Sequence, residues 1–164
     1  MTARIAAALS SATLVVAALS GVLAGPAAAD DTVAVNGVYT AVSDGQWSAT
    51  NERFELRPSL ISTWTISSHC QNYLDCTGRV ESDHGWQADL TYRGGDWWVE
   101  HTVPDWLTCP DGTKAPGKQG FRFWPDRGRP GVLTGWDKTL GPSGACGINR
   151  PVVIEMPFTL TPVG

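Results

Sequence analysis

Trp86, Ala88, Leu90 and Tyr92 alternate with Gln87, Asp89, Thr91 and Arg93, so the apolar side chains recur every second residue. A two-residue period places them on one face of an extended strand, whereas a helix would bring every third or fourth residue together. Val152, Ile154, Met156, Phe158 and Leu160 repeat the pattern. Val38 to Val42, Leu60 to Ser67, Gly78 to Ser82, Trp97 to Val103, Gly120 to Trp124 and Val132 to Lys138 supply further strand-like runs. Turn-forming clusters separate them: Ser43-Asp44-Gly45, Asp83-His84-Gly85, Gly94-Gly95-Asp96, Cys109-Pro110-Asp111-Gly112 and Gly141-Pro142-Ser143-Gly144. The pattern predicts an all-β fold, a single antiparallel domain of about eight short strands, arranged as a small barrel or a sandwich. Pro157 predicts an edge or bulged strand, because it has no N–H for a ladder. The stretch Thr50 to Leu56 is the one place that invites a short helical turn, with Thr50 or Asn51 as its cap.

The N-terminal residues read as a leader. Arg4 is followed by an uncharged run from Ala6 to Leu23, then Gly25-Pro26 and the small residues Ala27-Ala28-Ala29 before Asp30. That order is expected of a cleaved signal peptide, residues 1–29, leaving a domain of residues 30–164. No later stretch approaches the roughly 18 apolar residues of a membrane span. The expected location is therefore secreted, either extracellular or associated with the cell envelope. Past residue 29 there are 11 basic and 16 acidic residues, a net charge of −5. This balance argues against nucleic acid and against anionic membrane surfaces, which attract clustered Lys and Arg.

Export into an oxidising compartment makes disulfides the expected state of Cys70, Cys76, Cys109 and Cys146. Of the three possible pairings, Cys70–Cys76 would staple a short connection between two strands. Cys109–Cys146 would tie together two Gly/Pro-rich loops. A zinc site is disfavoured: no Cys-x-x-Cys occurs, and His69, His84 and His101 show no ligand spacing with the cysteines. No motif for a metal or another cofactor is present.

Eight tryptophans make the chain unusually rich in indole. Most are expected to fill the core, as at Asp83-His84-Gly85-Trp86, where a hairpin turn delivers a Trp to the buried face. Trp97 and Trp98 must point to opposite faces, so one of them needs separate cover. Trp98, Trp106 and Trp124 are the candidates for ring surfaces left available to a ligand. No catalytic set is visible. Gly141-Pro142-Ser143-Gly144-Ala145 breaks the Gly-x-Ser-x-Gly elbow at its last position. Glu81, Glu100 and Glu155, on expected strands, are the acidic residues on which a glycosidase-like pair would draw.

The segments "GVYTAVSDGQW" (37–47), "STWTISSHC" (62–70), "DCTGRVESDHGW" (75–86), "CPDGT" (109–113), "GFRFWP" (120–125) and "DKTLGPSGACGINRPVVIEMPFTL" (137–160) resemble, as an ordered set, a family of small secreted proteins of mycobacteria and related actinobacteria. More loosely, the Trp-strand-Cys-Cys-strand portion is similar to extracellular sensor modules of mycobacterial serine/threonine kinases. The resemblance implies export, two disulfides and a β fold, and it carries over no catalytic or binding residue. It points to a non-catalytic domain that binds a ligand or partner at the cell envelope or outside the cell. The alternative is a cell-wall-directed hydrolase or transferase whose acidic residues converge only in the folded chain.

Overall fold

The computed structural model describes residues 33–164, so the expected leader lies outside the described residues. The strands are β1 (Gly37–Ser43), β2 (Ala49–Thr50), β3 (Arg53–Phe54), β4 (Leu60–Asn72), β5 (Asp75–Ser82), β6 (Gln87–Arg93), β7 (Asp96–Thr108), β8 (Lys114–Pro125), β9 (Leu133–Leu140) and β10 (Val153–Pro162). Eight of them, β1 and β4 to β10, run as an antiparallel meander that closes when β10 pairs with β1 (Leu160 opposite Ala41). The choice between barrel and sandwich is thus decided in favour of a closed barrel, a form that leaves no free edge in the ring.

Closure sorts the side chains. Along β9 Leu133, Gly135, Asp137 and Thr139 are buried while Trp136, Lys138 and Leu140 are exposed. Trp64 (1 % exposed) lies at the centre of the core, with ring centroids 4.8 Å from Phe121, 5.1 Å from Phe158 and 5.2 Å from Trp86. Interior space in an eight-stranded barrel is about what side chains can fill, and here rings from β4, β8 and β10 fill much of it. The end at which β1 begins is stoppered by the segment before it. Val35 belongs to the core and its N–H donates to Ser68 Oγ (2.7 Å), while Trp97 Nε1 donates to the Val33 carbonyl (3.2 Å).

The turns follow the chemistry expected of them. Gly94 (φ +63°) and Gly95 (φ +90°) form a two-residue hairpin between β6 and β7, conformations in which a Cβ would be strained. Both disulfides are present in the expected pairing, Cys70–Cys76 and Cys109–Cys146. The first links directly opposed residues of β4 and β5. The second joins the far end of the β7–β8 hairpin to the β9–β10 loop, at the opposite end of the barrel from the stopper.

Two expectations are corrected. Residues 50–56 form no helical turn: Ala49–Thr50 and Arg53–Phe54 pair as a hairpin through Asn51 (φ +48°) and Glu52 (φ +65°). The segment is too short to sustain a helix by itself, and β10 offers pairing instead, with Ile154 opposite Thr50. Pro157, expected on an edge or a bulged strand, is not on an edge but lies where the ladder is interrupted, between Ser43 opposite Phe158 and Ala49 opposite Glu155. β10 is flanked by β9 along most of its length, and on its other side by β1 and then by β2. Pro157 falls in the gap between those two partners, where the chain loops through a short 3-10 turn at Gly45–Trp47. Its carbonyl accepts from Asp44 N–H (2.8 Å), and no ladder position there requires the N–H that proline lacks.

Candidate ligand site

At the unstoppered end the barrel is open. A cavity of about 260 Å3 enters it, with apolar walls from Pro58, Leu60, Val103, Trp106, Ile154 and Met156 and a polar floor from Gln119, Asp137 and Thr139. Arg57 stands at its edge.

The wall residue Trp106 owes its position to an irregularity in β7. Val103 opposes Gly117 and Leu107 opposes Ala115, so four steps along β7 match two along β8. The surplus is a bulge at Pro104-Asp105-Trp106, with Asp105 at φ +55°. Bulges bend a strand and re-aim its side chains. The indole is laid across the backbones of Gly117 and Gly141, where an added Cβ would stand 2.7 and 2.9 Å from it. These two glycines form a seat for the ring.

The floor is a hydrogen-bonded chain that crosses three strands and the end of β1. Ser43 Oγ donates to Asp137 Oδ2 at 2.7 Å, and Gln119 Nε2 donates to both Asp137 oxygens at 2.9 and 2.8 Å. With its amide nitrogen so engaged, Gln119 presents Oε1 to His101 Nε2 at 3.0 Å. A carbonyl oxygen only accepts, so the proton of the imidazole sits on Nε2. Trp86 stacks on the ring of His101 at 4.1 Å between centroids. Asp137 is 3 % exposed, and burial pushes its carboxyl above the usual range against the opposing pull of Ser43 and Gln119. Burial likewise lowers the basicity of His101, with the Gln119 hydrogen bond opposing. Both groups are thereby shifted toward their neutral forms. Beside the floor a recess of about 40 Å3, bordered by Ser43, Ser62, His84 and Gln119, has room for a single small polar molecule.

Of the three expected ligand-facing tryptophans, only Trp106 lines this cavity. Trp98 and Trp124 are half-buried on the outer wall, where Arg93 (4.6 Å) and Arg122 (5.1 Å) lie over the Trp98 ring and Arg122 lies 5.7 Å from that of Trp124. The outer member of the Trp97-Trp98 pair is thus covered by two guanidinium groups rather than by a second sheet. The expectation that most indoles fill the core is corrected: only Trp64 and Trp97 are fully buried, and the most open are Trp47 (71 % exposed) and Trp136 (51 %), because closure turns the remaining rings to the walls and ends of the barrel. Glu81, Glu100 and Glu155 stand on β5, β7 and β10, no two on neighbouring strands. Glu100 pairs with Lys118 and Glu155 with Lys138, each at 2.8 Å. Among the described residues no three His, Cys, Asp or Glu side chains converge in the manner of a metal site, and no helix is long and apolar enough to cross a membrane.

No family model matches the sequence, and no curated protein matches it. Among solved structures the chain is similar to the monomer form of the M. tuberculosis PknI sensor domain, at 14 % identity and a TM-score of 0.60, covering 80 % of this chain and 89 % of that one. The likeness is one of fold, and it agrees with the looser resemblance carried by the Trp-strand-Cys-Cys-strand portion.

Proposed function

We propose that this chain is a secreted, non-catalytic β-barrel, shed of residues 1–29, that takes one small, mostly apolar ligand into its open mouth at the cell envelope or outside the cell. The observation that carries the reading is the cavity itself: apolar walls converging on a few buried polar groups are the usual make-up of a small-ligand pocket. Its volume of about 260 Å3 exceeds the roughly 150 Å3 of an engineered apolar cavity that admits benzene, so the ligand is of the size of one substituted ring or a short branched chain. Two disulfides suit an oxidising compartment, and the fold is that of a kinase sensor domain. Membership in the family of small secreted mycobacterial and actinobacterial proteins belongs to the same proposal. The hydrolase alternative draws less support. Asp137 is the one carboxylate among the residues lining the cavity, whereas paired-carboxylate chemistry needs two across one bond.

Calorimetric titration with a panel of small aromatic and branched aliphatic compounds, alongside muropeptides, glycans and lipids, tests the reading. Compact compounds are expected to bind, and Val103→Trp, which fills the cavity from its wall, is expected to weaken them by about tenfold or more with an unchanged circular dichroism spectrum. Undiminished binding to Val103→Trp, or no binding by any compact compound, would count against a ligand in the mouth.

A further inference from the structure

Given that reading of the mouth, we infer that the ligand is an amine, a primary or secondary ammonium on a compact apolar body, with the cation on Asp137 and the body against Trp106 and the aliphatic wall. The reason is a missing counter-charge. Asp137 is buried at the floor of a cavity open to solvent, and among the described residues no Lys, Arg or His nitrogen lies within salt-bridge distance of it. The charged or titratable groups nearest the site are committed elsewhere. Arg57 donates to Thr50 Oγ1 (3.1 and 3.0 Å) and pairs with Glu55 (3.1 Å). His101 reaches the carboxylate only through Gln119. His84 lies against Asp83 at 4.0 Å on the β5–β6 turn, and Lys118 and Lys138 hold outer-wall glutamates.

A buried carboxylate without a cation is costly, and a ligand that brings the cation recovers part of that cost once its own desolvation is met. The hydrogen-bonding inventory leaves room for it. A carboxylate offers roughly four acceptor sites, and Ser43 and Gln119 use three contacts between them. The ammonium would thus find a charge and a hydrogen bond, while its body packs against Trp106 and along Leu60, Val103, Ile154 and Met156.

The test compares 2-phenylethylamine with its uncharged counterpart 2-phenylethanol by titration calorimetry across about pH 5 to pH 8. Because the amine binds the ionised carboxyl, its affinity is expected to rise with pH as Asp137 gives up its proton, while that of the alcohol changes little. At the upper end of the range the amine is expected to bind about tenfold tighter or more. Asp137→Asn, checked for folding by circular dichroism, should bring the amine down to the level of the alcohol. If the alcohol binds as tightly as the amine, or if affinity falls with pH and survives Asp137→Asn, the cation is wrong although a ligand still occupies the mouth. If neither compound binds wild type, and the wider panel also fails, the reading of the mouth as a ligand site fails with it. The comparison of amine with alcohol on the wild type decides the matter even where Asp137→Asn does not fold.

Discussion

Trp64→Ala is expected to cost about 3–5 kcal/mol of stability, read as a lowered midpoint in guanidinium unfolding with an unchanged slope. Trp64 is 1 % exposed, and its ring meets those of Trp86, Phe121, Phe123 and Phe158, which come from two other strands and a turn. Removing the indole leaves a hole that backbones tied into a closed ladder cannot move far to fill. Its one polar atom, Nε1, donates to Ser62 Oγ (3.0 Å), so the truncation also strips a hydroxyl of its partner. Trp47→Ala is the matched control. At 71 % exposure Trp47 buries little, and its loss is expected to stay within about 0.5 kcal/mol. Equal costs at the two positions would contradict a core centred on the Trp64 ring.

Replacing Cys109 and Cys146 together by alanine is expected to lower stability by about 4 kcal/mol. The bond spans 37 residues, and the loop-closure entropy it removes from the unfolded chain grows with that span. The Cys70–Cys76 bond closes a separation of only 6 and is worth about 2 kcal/mol on the same basis, because a short loop loses less unfolded-state freedom when it is closed. The longer bond has a second consequence. It anchors the end of the hairpin whose bulge aims Trp106, so its loss should also loosen the wall of the mouth and weaken ligand binding. A destabilisation below about 1 kcal/mol would show that the two loops are held together by other means.

The strands were legible because their pattern is local: Trp86 to Tyr92 shows its buried face by parity alone, and Leu90 is indeed fully buried while Asp89 and Thr91 are exposed. What was not legible depended on partners distant in sequence. The hairpin at Ala49–Phe54 forms because β10 offers pairing to β2, and Pro157 is tolerated because the neighbouring strand is interrupted opposite it. Exposure of the tryptophans depended on closure too. Trp136 and Trp47, not Trp98 and Trp124, are the open rings, since the arginines that cover the outer wall come from β6 and β8. For the site, Trp106 was visible as a ring available to a ligand, but the bulge in β7 that aims it and its seat on Gly117 and Gly141 were not. The floor did leave a trace. Asp137 shares its parity with Leu133 and Gly135, and Gln119 with Phe121 and Phe123, so each is a polar residue on a buried face. A carboxylate in phase with the apolar residues of a barrel strand is the pattern such a floor leaves in a sequence, because acidic side chains are seldom buried without a task.

The most direct test of the ligand site follows the indole N–H resonances of all eight tryptophans by NMR while 2-phenylethylamine is titrated into the protein. The Trp106 resonance, together with the side-chain amide of Gln119, is expected to shift with ligand concentration, while Trp47 and Trp136 stay unmoved. Shifts confined to Trp47 and Trp136, with Trp106 and Gln119 silent, would place binding on the outer surface and contradict a ligand held inside the barrel mouth.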